Sequence, residues 1–228
     1  MRILGFDPSL TQFGWALHDT EAQGSGRCID RGRFQTSSKT LYVDRYTDLR
    51  ERVRALIRET QPDHMGIEYP VFKELYSEGM YGLFLFVSEA IRVERQDVVF
   101  FTPMQVKAHA RLALGRPSDW KMEKPDMVLA AKKDADIRAN LNHNEADAYW
   151  VAAVAGRFWS YHDGLLAYEN LTPPEQQQFA KVKTYTRGKH AGKTIQSGIM
   201  YREDERFFRW SEAVQETEQT GDVITKEG

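Results

Sequence analysis

Short apolar runs bounded by turn residues open the chain and then give way to a helical rhythm, and this change of pattern lays out the chain. Residues 2–7 and 12–18 read as two strands, with Pro8, Ser9 and Thr11 forming the turn between them. A third strand is expected over Arg27–Phe34, after the Gly24-Ser25-Gly26 turn. Leu49, Val53, Leu56 and Ile57 recur at helical spacing and predict a helix over Leu41–Glu59, closed before Gln61-Pro62. His64–Glu68 has the look of a short buried strand, Tyr76–Val93 of a long apolar helix containing Gly79 and Gly82, and Asp97–Phe101 of another strand. Pro103 suits the first turn of a helix, Lys124–Lys133 is expected to be helical, and Asn144–Phe158 forms a strongly apolar helix. Three antiparallel strands followed by strand–helix alternation predict an α/β protein, a five-stranded mixed sheet flanked by helices.

Beyond about Tyr161 the pattern changes. Pro173-Pro174, the glutamines at 176–178 and a basic Gly188–Gly192 loop predict an appended element, which divides the chain into a domain over 1–160 and an extension over 161–228. From Lys181 to Arg209 there are eight Lys or Arg against three acids, and from Ser211 to Gly228 five acids against one lysine. The extension is thus basic and then acidic, with its last dozen or so residues expected to be disordered. A basic stretch of this kind is compatible with a phosphate-binding surface and equally with a solvated face.

The bulk composition narrows the class without naming it. The 228 residues, 41% hydrophobic and 28% charged, are those of a soluble globular protein. No run of about 18 apolar residues predicts a membrane span, and no cleavable leader precedes the first strand. Cys28 is the one cysteine, so an intramolecular disulfide is impossible and a reducing, cytoplasmic setting is expected. The six histidines and Cys28 show no zinc spacing. Gly188-Lys189-His190-Ala191-Gly192-Lys193-Thr194 has three residues between its glycines where a phosphate-binding loop has four. No nucleotide cofactor is expected there, and the loop is retained as a DNA-backbone contact.

Three acidic positions carry the chemistry. Asp7 ends the strand Ile3-Leu4-Gly5-Phe6, Glu68 ends Met65-Gly66-Ile67, and Asp147 opens the apolar helix within Asn144-Glu145-Ala146-Asp147-Ala148. Each has an ordinary structural role: a turn aspartate before Pro8, a strand-end acid facing solvent, and a helix-start acid favoured by the macrodipole. Gathered at one place they would repel and raise one another's pKa, and the usual compensation is a hard divalent cation such as Mg²⁺ or Mn²⁺. Asn144 lies three residues and His143 four residues before Asp147, so either can share its helix face. Which of His143, Asn144 and Glu145 does so is open at this level.

The ordered set resembles the RuvC family of Holliday-junction resolvases, within the RNase H-like superfamily. Gly5-Phe6-Asp7-Pro8-Ser9 resembles its opening motif, and Ile67-Glu68 followed by Val71-Phe72 its second acidic motif. Pro103-Met104-Gln105-Val106-Lys107 resembles its basic segment, and Ala146-Asp147-Ala148 its final motif. The resemblance covers roughly residues 1–160. It departs from the family at Asn144, where Asp or His is usual, and in the segment after 160, a variation similar to that of bacteriophage resolvases acting in the host cytoplasm.

The resemblance implies an RNase H-like fold and a Mg²⁺-dependent endonuclease in which Mn²⁺ substitutes, with two ions about 4 Å apart bridging the scissile phosphate. Asp7 would be the shared ligand, Glu68 would hold one ion, and Asp147 with Asn144 or His143 the other. Paired nicks with 5′-phosphate ends in a four-way DNA junction would need a homodimer, for which Tyr76–Val93 is the candidate interface. Tyr69, Phe72 and Tyr76 would stack on unpaired bases or pack internally, and Lys107, Arg111, Arg116, Lys121 and Lys124 would contact phosphates. Sugar-kinase and actin-type ATPases also begin with a strand aspartate, but they need a second domain for which this length leaves little room. A flap or RNA–DNA hybrid nuclease, and a junction-binding protein without catalysis, are the remaining readings.

Overall fold

The computed structural model describes residues 1–69, 78–179, 181–184, 194–197, 199–203 and 206–208. The strands are β1 (Arg2–Asp7), β2 (Gln12–Asp19), β3 (Cys28–Gln35), β4 (His64–Glu68), β5 (Val98–Phe101), β6 (Lys181–Thr184), β7 (Thr194–Ser197), β8 (Met200–Glu203) and β9 (Arg206–Phe208). The helices are α1 (Tyr42–Thr60), α2 (Glu78–Val93), α3 (Pro103–Ala113), α4 (Lys124–Asp134), α5 (His143–His162) and α6 (Pro173–Phe179). No helix among the described residues is long and apolar enough to cross a membrane.

The main sheet runs β3-β2-β1-β4-β5-β8-β9, with β1, β4 and β5 parallel and the others antiparallel to their neighbours. The five strands expected from the sequence form its first five positions, in a mixed sheet as predicted. Two further strands come from the segment after residue 160. That segment carries little alternation, but β8 pairs Met200 with Phe100 and Arg202 with Val98, and Ile199 and Tyr201 are buried beside it. The pairing covers an edge of β5 that would otherwise present open backbone groups. β6 and β7 make a separate two-stranded ribbon, and the whole Gly188–Gly192 loop, along with Phe72 and Tyr76, lies outside the described residues.

Strand alternation divides the core into two layers. Leu4, Phe6, Phe13, Leu17, Met65 and Ile67 face α1 and α2, where Leu49, Val53, Leu83 and Val87 are buried. Ile3, Ala16, Val99 and Phe101 face α5 with α3 and α4 beyond it. Thr102 and Asn142 start α3 and α5 with reciprocal caps to Gln105 and Glu145, which satisfy amides left over at each helix start. α2 turns its glycines inward: a side chain at Gly82 would meet the Tyr46 ring, and one at Gly79 would meet Leu10. The small residues expected at a dimer interface therefore serve the contact between α1 and α2. Tyr81 and Leu85, 45% and 48% exposed, form the outer face of α2 instead.

Candidate active site

Parity decides where the strand carboxylates point. Phe6 and Ile67 are fully buried against α1 and α2, so Asp7 and Glu68, each one residue further, turn to the α5 side. Phe6 is paired with Ile67 in the parallel β1–β4 ladder, which brings the two acids out as neighbours at adjacent strand ends. Parallel pairing thus does what neither short strand shows alone.

α5 reaches them because the strands beneath it carry glycine. At Gly5 a Cβ would collide with the backbone of Ala148 and Ala152, and at Gly14 it would meet the Asn144 carbonyl carbon at 2.7 Å. The helix backbone therefore lies directly on the sheet, and Asp147, one turn into the helix, stands beside both strand acids. Burial, followed by Glu68, Asp147 and the opposing Lys124, sets the environment of Asp7 and raises its pKa well above the ordinary aspartate value. Burial and then the charge of Asp147 push Glu68 up to about 7, against a pull from Lys107. Burial lifts Asp147 to about 6, with Lys107 and Lys124 opposing. These mutual shifts place the three carboxylates and two lysines within one electrostatic neighbourhood.

The residues before Asp147 separate by role. Glu145 caps the helix start, accepting from the Asn142 amide, and lies 3.8 Å from Arg31 Nε, so it is committed away from the acids. Burial first, then Lys124 and Arg33, lowers the pKa of His143. Asn144 is buried, and its Nδ2 donates to Gln12 Oε1 at 3.2 Å. Gln12 Oε1 also accepts from Arg33 Nη1 at 3.1 Å. With its amide nitrogen held by β2, Asn144 has its carbonyl oxygen on the other branch. Gln12 and Arg33 carry no sequence signal of this role: the two strand residues pair with each other, and only the packing of α5 on β2 sets Asn144 against Gln12.

The remaining candidates fall around this centre or away from it. Lys107 on α3 and Lys124 at the first turn of α4 approach the acids. Arg111 donates to the Trp120 carbonyl at 3.3 Å, Arg116 lies over the Trp120 ring at 4.6 Å, and Lys121 pairs with Glu123 at 2.9 Å. These three make one local cluster between α3 and α4. Tyr69 packs edge-on against Phe84 of α2 at 5.0 Å, while its amide donates to the Phe101 carbonyl.

Hard oxygen donors, two lysines on the rim and a buried Asp147 Oδ1 without a hydrogen-bond partner match what a divalent cation requires. Among the described residues no three His, Cys, Asp or Glu side chains close around one point. The site is thus a set of neighbouring donors and not a closed cage. Asp7, Glu68, Asp147 and the Asn144 carbonyl are the groups that would hold such ions.

An RNase H-like α/β fold with two carboxylates at adjacent strand ends and a third on the helix crossing them defines the class. A family model described as "Crossover junction endodeoxyribonuclease RuvC" matches residues 3–152, and the chain belongs to that family. It is 29% identical to the RuvC of Alkaliphilus metalliredigens over 170 residues, covering 70% of this chain and 97% of that one. With the RuvC of Synechocystis it shares 31% identity over 71 residues, which spans 31% of this chain and 42% of the relative. Among solved structures, Thermus thermophilus RuvC superposes with a TM-score of 0.58 at 20% identity, over 72% of this chain and 97% of that one. The same enzyme in complex with a Holliday junction substrate gives 0.56 at 18% identity, over the same shares of both chains.

Proposed function

We propose that this protein is a Mg²⁺-dependent endonuclease that resolves four-way DNA junctions by paired, symmetric phosphodiester hydrolysis leaving 5′-phosphate ends. The observation that carries the reading is the convergence of Asp7, Glu68 and Asp147 on one face of the sheet, each holding its proton above the ordinary carboxylate range. When bound, two divalent ions supply activation of water and stabilisation of the leaving oxygen. Asp7, whose environment includes both other acids, would be the ligand common to both ions. Glu68 would hold one ion, and Asp147 with the Asn144 carbonyl the other. Lys107 and Lys124 orient the phosphate and offset the negative charge of the site, and the Arg111, Arg116 and Lys121 cluster extends the backbone contact along the duplex arm. Retention of all three carboxylates in a family of junction endonucleases supports catalysis over binding alone.

Two symmetric incisions require two active sites, and a homodimer supplies them. The exposed Tyr81 and Leu85 of α2, beside exposed Leu41, Tyr42 and Val43 at the start of α1, form the apolar face for that contact.

The reading is tested with labelled four-way junctions, flaps, duplexes and RNA–DNA hybrids, with Mg²⁺ or EDTA, beside Asp7→Asn. Symmetric, Mg²⁺-dependent nicking of the four-way junction that the substitution abolishes supports it. Preference for flaps or hybrids retains the site and removes the resolvase assignment, and tight junction binding without cleavage in either Mg²⁺ or Mn²⁺ removes the catalysis.

A further inference from the structure

One row of the main sheet runs from the carboxylate site out to the edge strand β3. Asp7 of β1 pairs with Gly14 of β2, and Gly14 pairs in turn with Arg33 of β3. Residues paired across antiparallel strands turn their side chains to the same face. Asp7 and Arg33 therefore stand on the α5 side with a gap between them, where Gly14 has no side chain. Asn144 fills that gap: a Cβ on Gly14 would lie 3.1 Å from the Asn144 Cβ. Gln12, two residues before Gly14 on β2, shares this face. The Asn144 carboxamide thus has the acid site on one flank and Gln12 with Arg33 on the other.

Hydrogen-bond polarity decides which way that carboxamide lies. A guanidinium donates and never accepts. Arg33 gives Nη1 to Gln12 Oε1 at 3.1 Å. Gln35, with its carboxamide oxygen turned to the same guanidinium, accepts from Nε at 3.2 Å and from Nη2 at 3.3 Å. Arg33 therefore holds the Gln12 oxygen in place, and any group that meets this oxygen from α5 must donate. Asn144 Nδ2 does so at 3.2 Å, which turns Nδ2 to the Arg33 flank and Oδ1 to the Asp7 flank. The reverse orientation would set two oxygens against each other at Gln12 and an NH₂ group against the acids. The same polarity bears on residue type. An ionised acid at 144 offers acceptors alone, whereas the amide supplies the donor that Gln12 requires and keeps an oxygen for a hard cation.

We propose that Arg33 and Gln12 are positioning residues that lock the Asn144 carboxamide, so that its oxygen serves as a neutral cation ligand beside Asp7. The inference rests on the metal-ion reading of the carboxylate site and adds to it two residues that act through Asn144.

The test is Mn²⁺ binding by the full chain without DNA, read at one fixed pH from the paramagnetic resonance of the free ion. Gln12→Leu removes the acceptor and should weaken Mn²⁺ binding about tenfold, as loss of a ligand's own hydrogen-bond partner does. Gln12→Glu keeps an acceptor for both donors and should bind at least as tightly as the parent. In an Asn144→Ala background Gln12→Leu should change nothing further, whereas a general structural effect would add to it. Arg33→Leu, at an exposed position, should weaken binding in the same direction by several-fold, and it reads the relay even if Gln12→Leu fails to fold in a thermal melt. Mn²⁺ binding that is absent from the parent, or that survives Asp7→Asn, would remove the metal-site reading and the relay with it. Binding that needs Asp7 yet is indifferent to Gln12→Leu and Arg33→Leu, or a loss that persists undiminished in Asn144→Ala, would overturn the relay alone.

Discussion

Gly14 of β2 packs against Asn144 of α5 so closely that a Cβ on the strand would lie 2.7 Å from the Asn144 carbonyl carbon and 3.1 Å from its Cβ. The helix that carries Asp147 is seated by backbone contact, and the position of Asn144 and Asp147 over the strand acids follows from that contact. Gly14→Ala should therefore lower stability by about 1–3 kcal/mol, the usual cost of overpacking. Junction cleavage should fall further than the stability loss explains, because Asn144 is displaced from Gln12. Urea midpoints measured beside single-turnover rates check this, and unchanged values of both would contradict the seating role.

The carboxylate shifts make stability depend on pH in a stated direction. A carboxyl that holds its proton more tightly in the folded than in the unfolded state stabilises the fold below its unfolded value. That contribution is lost as pH rises through the folded value. With Glu68 at about 7 and Asp147 at about 6, cation-free protein should lose stability between about pH 4 and pH 7, and Mg²⁺ should restore it at the upper end. Glu68→Gln should be more stable than the parent in EDTA at the upper end, with a shallower decline across the window. Glu94, held below its ordinary value by Arg58 and Arg54, gives the opposite slope in both proteins and cancels in the comparison. Denaturant midpoints of the two proteins across this range decide the matter, and superimposable curves would refute it.

Lys107 acts on two of the acids and faces the phosphate in the proposed reaction. Lys107→Ala should weaken junction binding and lower the slope of log affinity against log salt by about one. The same change removes a cation that favours ionised Glu68 and Asp147, so the pH–rate profile should move to higher pH. A profile that stays in place while binding weakens would leave Lys107 a DNA contact alone.

Arg45 is 5% exposed and reaches from α1 to the turn after Asp7, where its Nη2 donates to the Leu10 carbonyl at 2.8 Å and its Nε to Thr36 Oγ1 at 2.9 Å. Thr36 Oγ1 donates to the same carbonyl. Arg45→Met keeps most of the packing and removes both bonds, for an expected loss of about 1–3 kcal/mol. Because the tethered turn directly follows Asp7, a ligand in the proposed metal site, the Mg²⁺ concentration for half-maximal cleavage should rise as well. A stability loss with unchanged Mg²⁺ dependence would confine Arg45 to a structural role.

Leu85 lies on the outer face of α2 at 48% exposure. Leu85→Arg should leave the fold intact and shift the protein to monomer in sedimentation velocity. Paired incision should become independent single nicking. A variant that remains dimeric would place the interface elsewhere.

Much of this molecule is legible in local pattern. Short apolar runs bounded by turn residues mark β1, β2 and β4 to within a residue, and the spacing of Leu49, Val53, Leu56 and Ile57 marks α1, because the pattern of apolar side chains reports backbone conformation directly. The strand-end positions of Asp7 and Glu68 follow from the same pattern, and so does the helical position of Asp147. Glu145 and Asn144 show where local pattern stops. Adjacent on one helix and both plausible ligands, they are separated only because Asn142 engages Glu145 as a cap while Gly14 admits the Asn144 backbone to the sheet. Phe6 opposite Ile67 and β8 against β5 are likewise products of tertiary structure. In each of these the partners lie tens of residues apart, and their pairing depends on shape and register across the whole sheet. The periodicity of one segment reports which face is buried, and packing alone decides what that face meets.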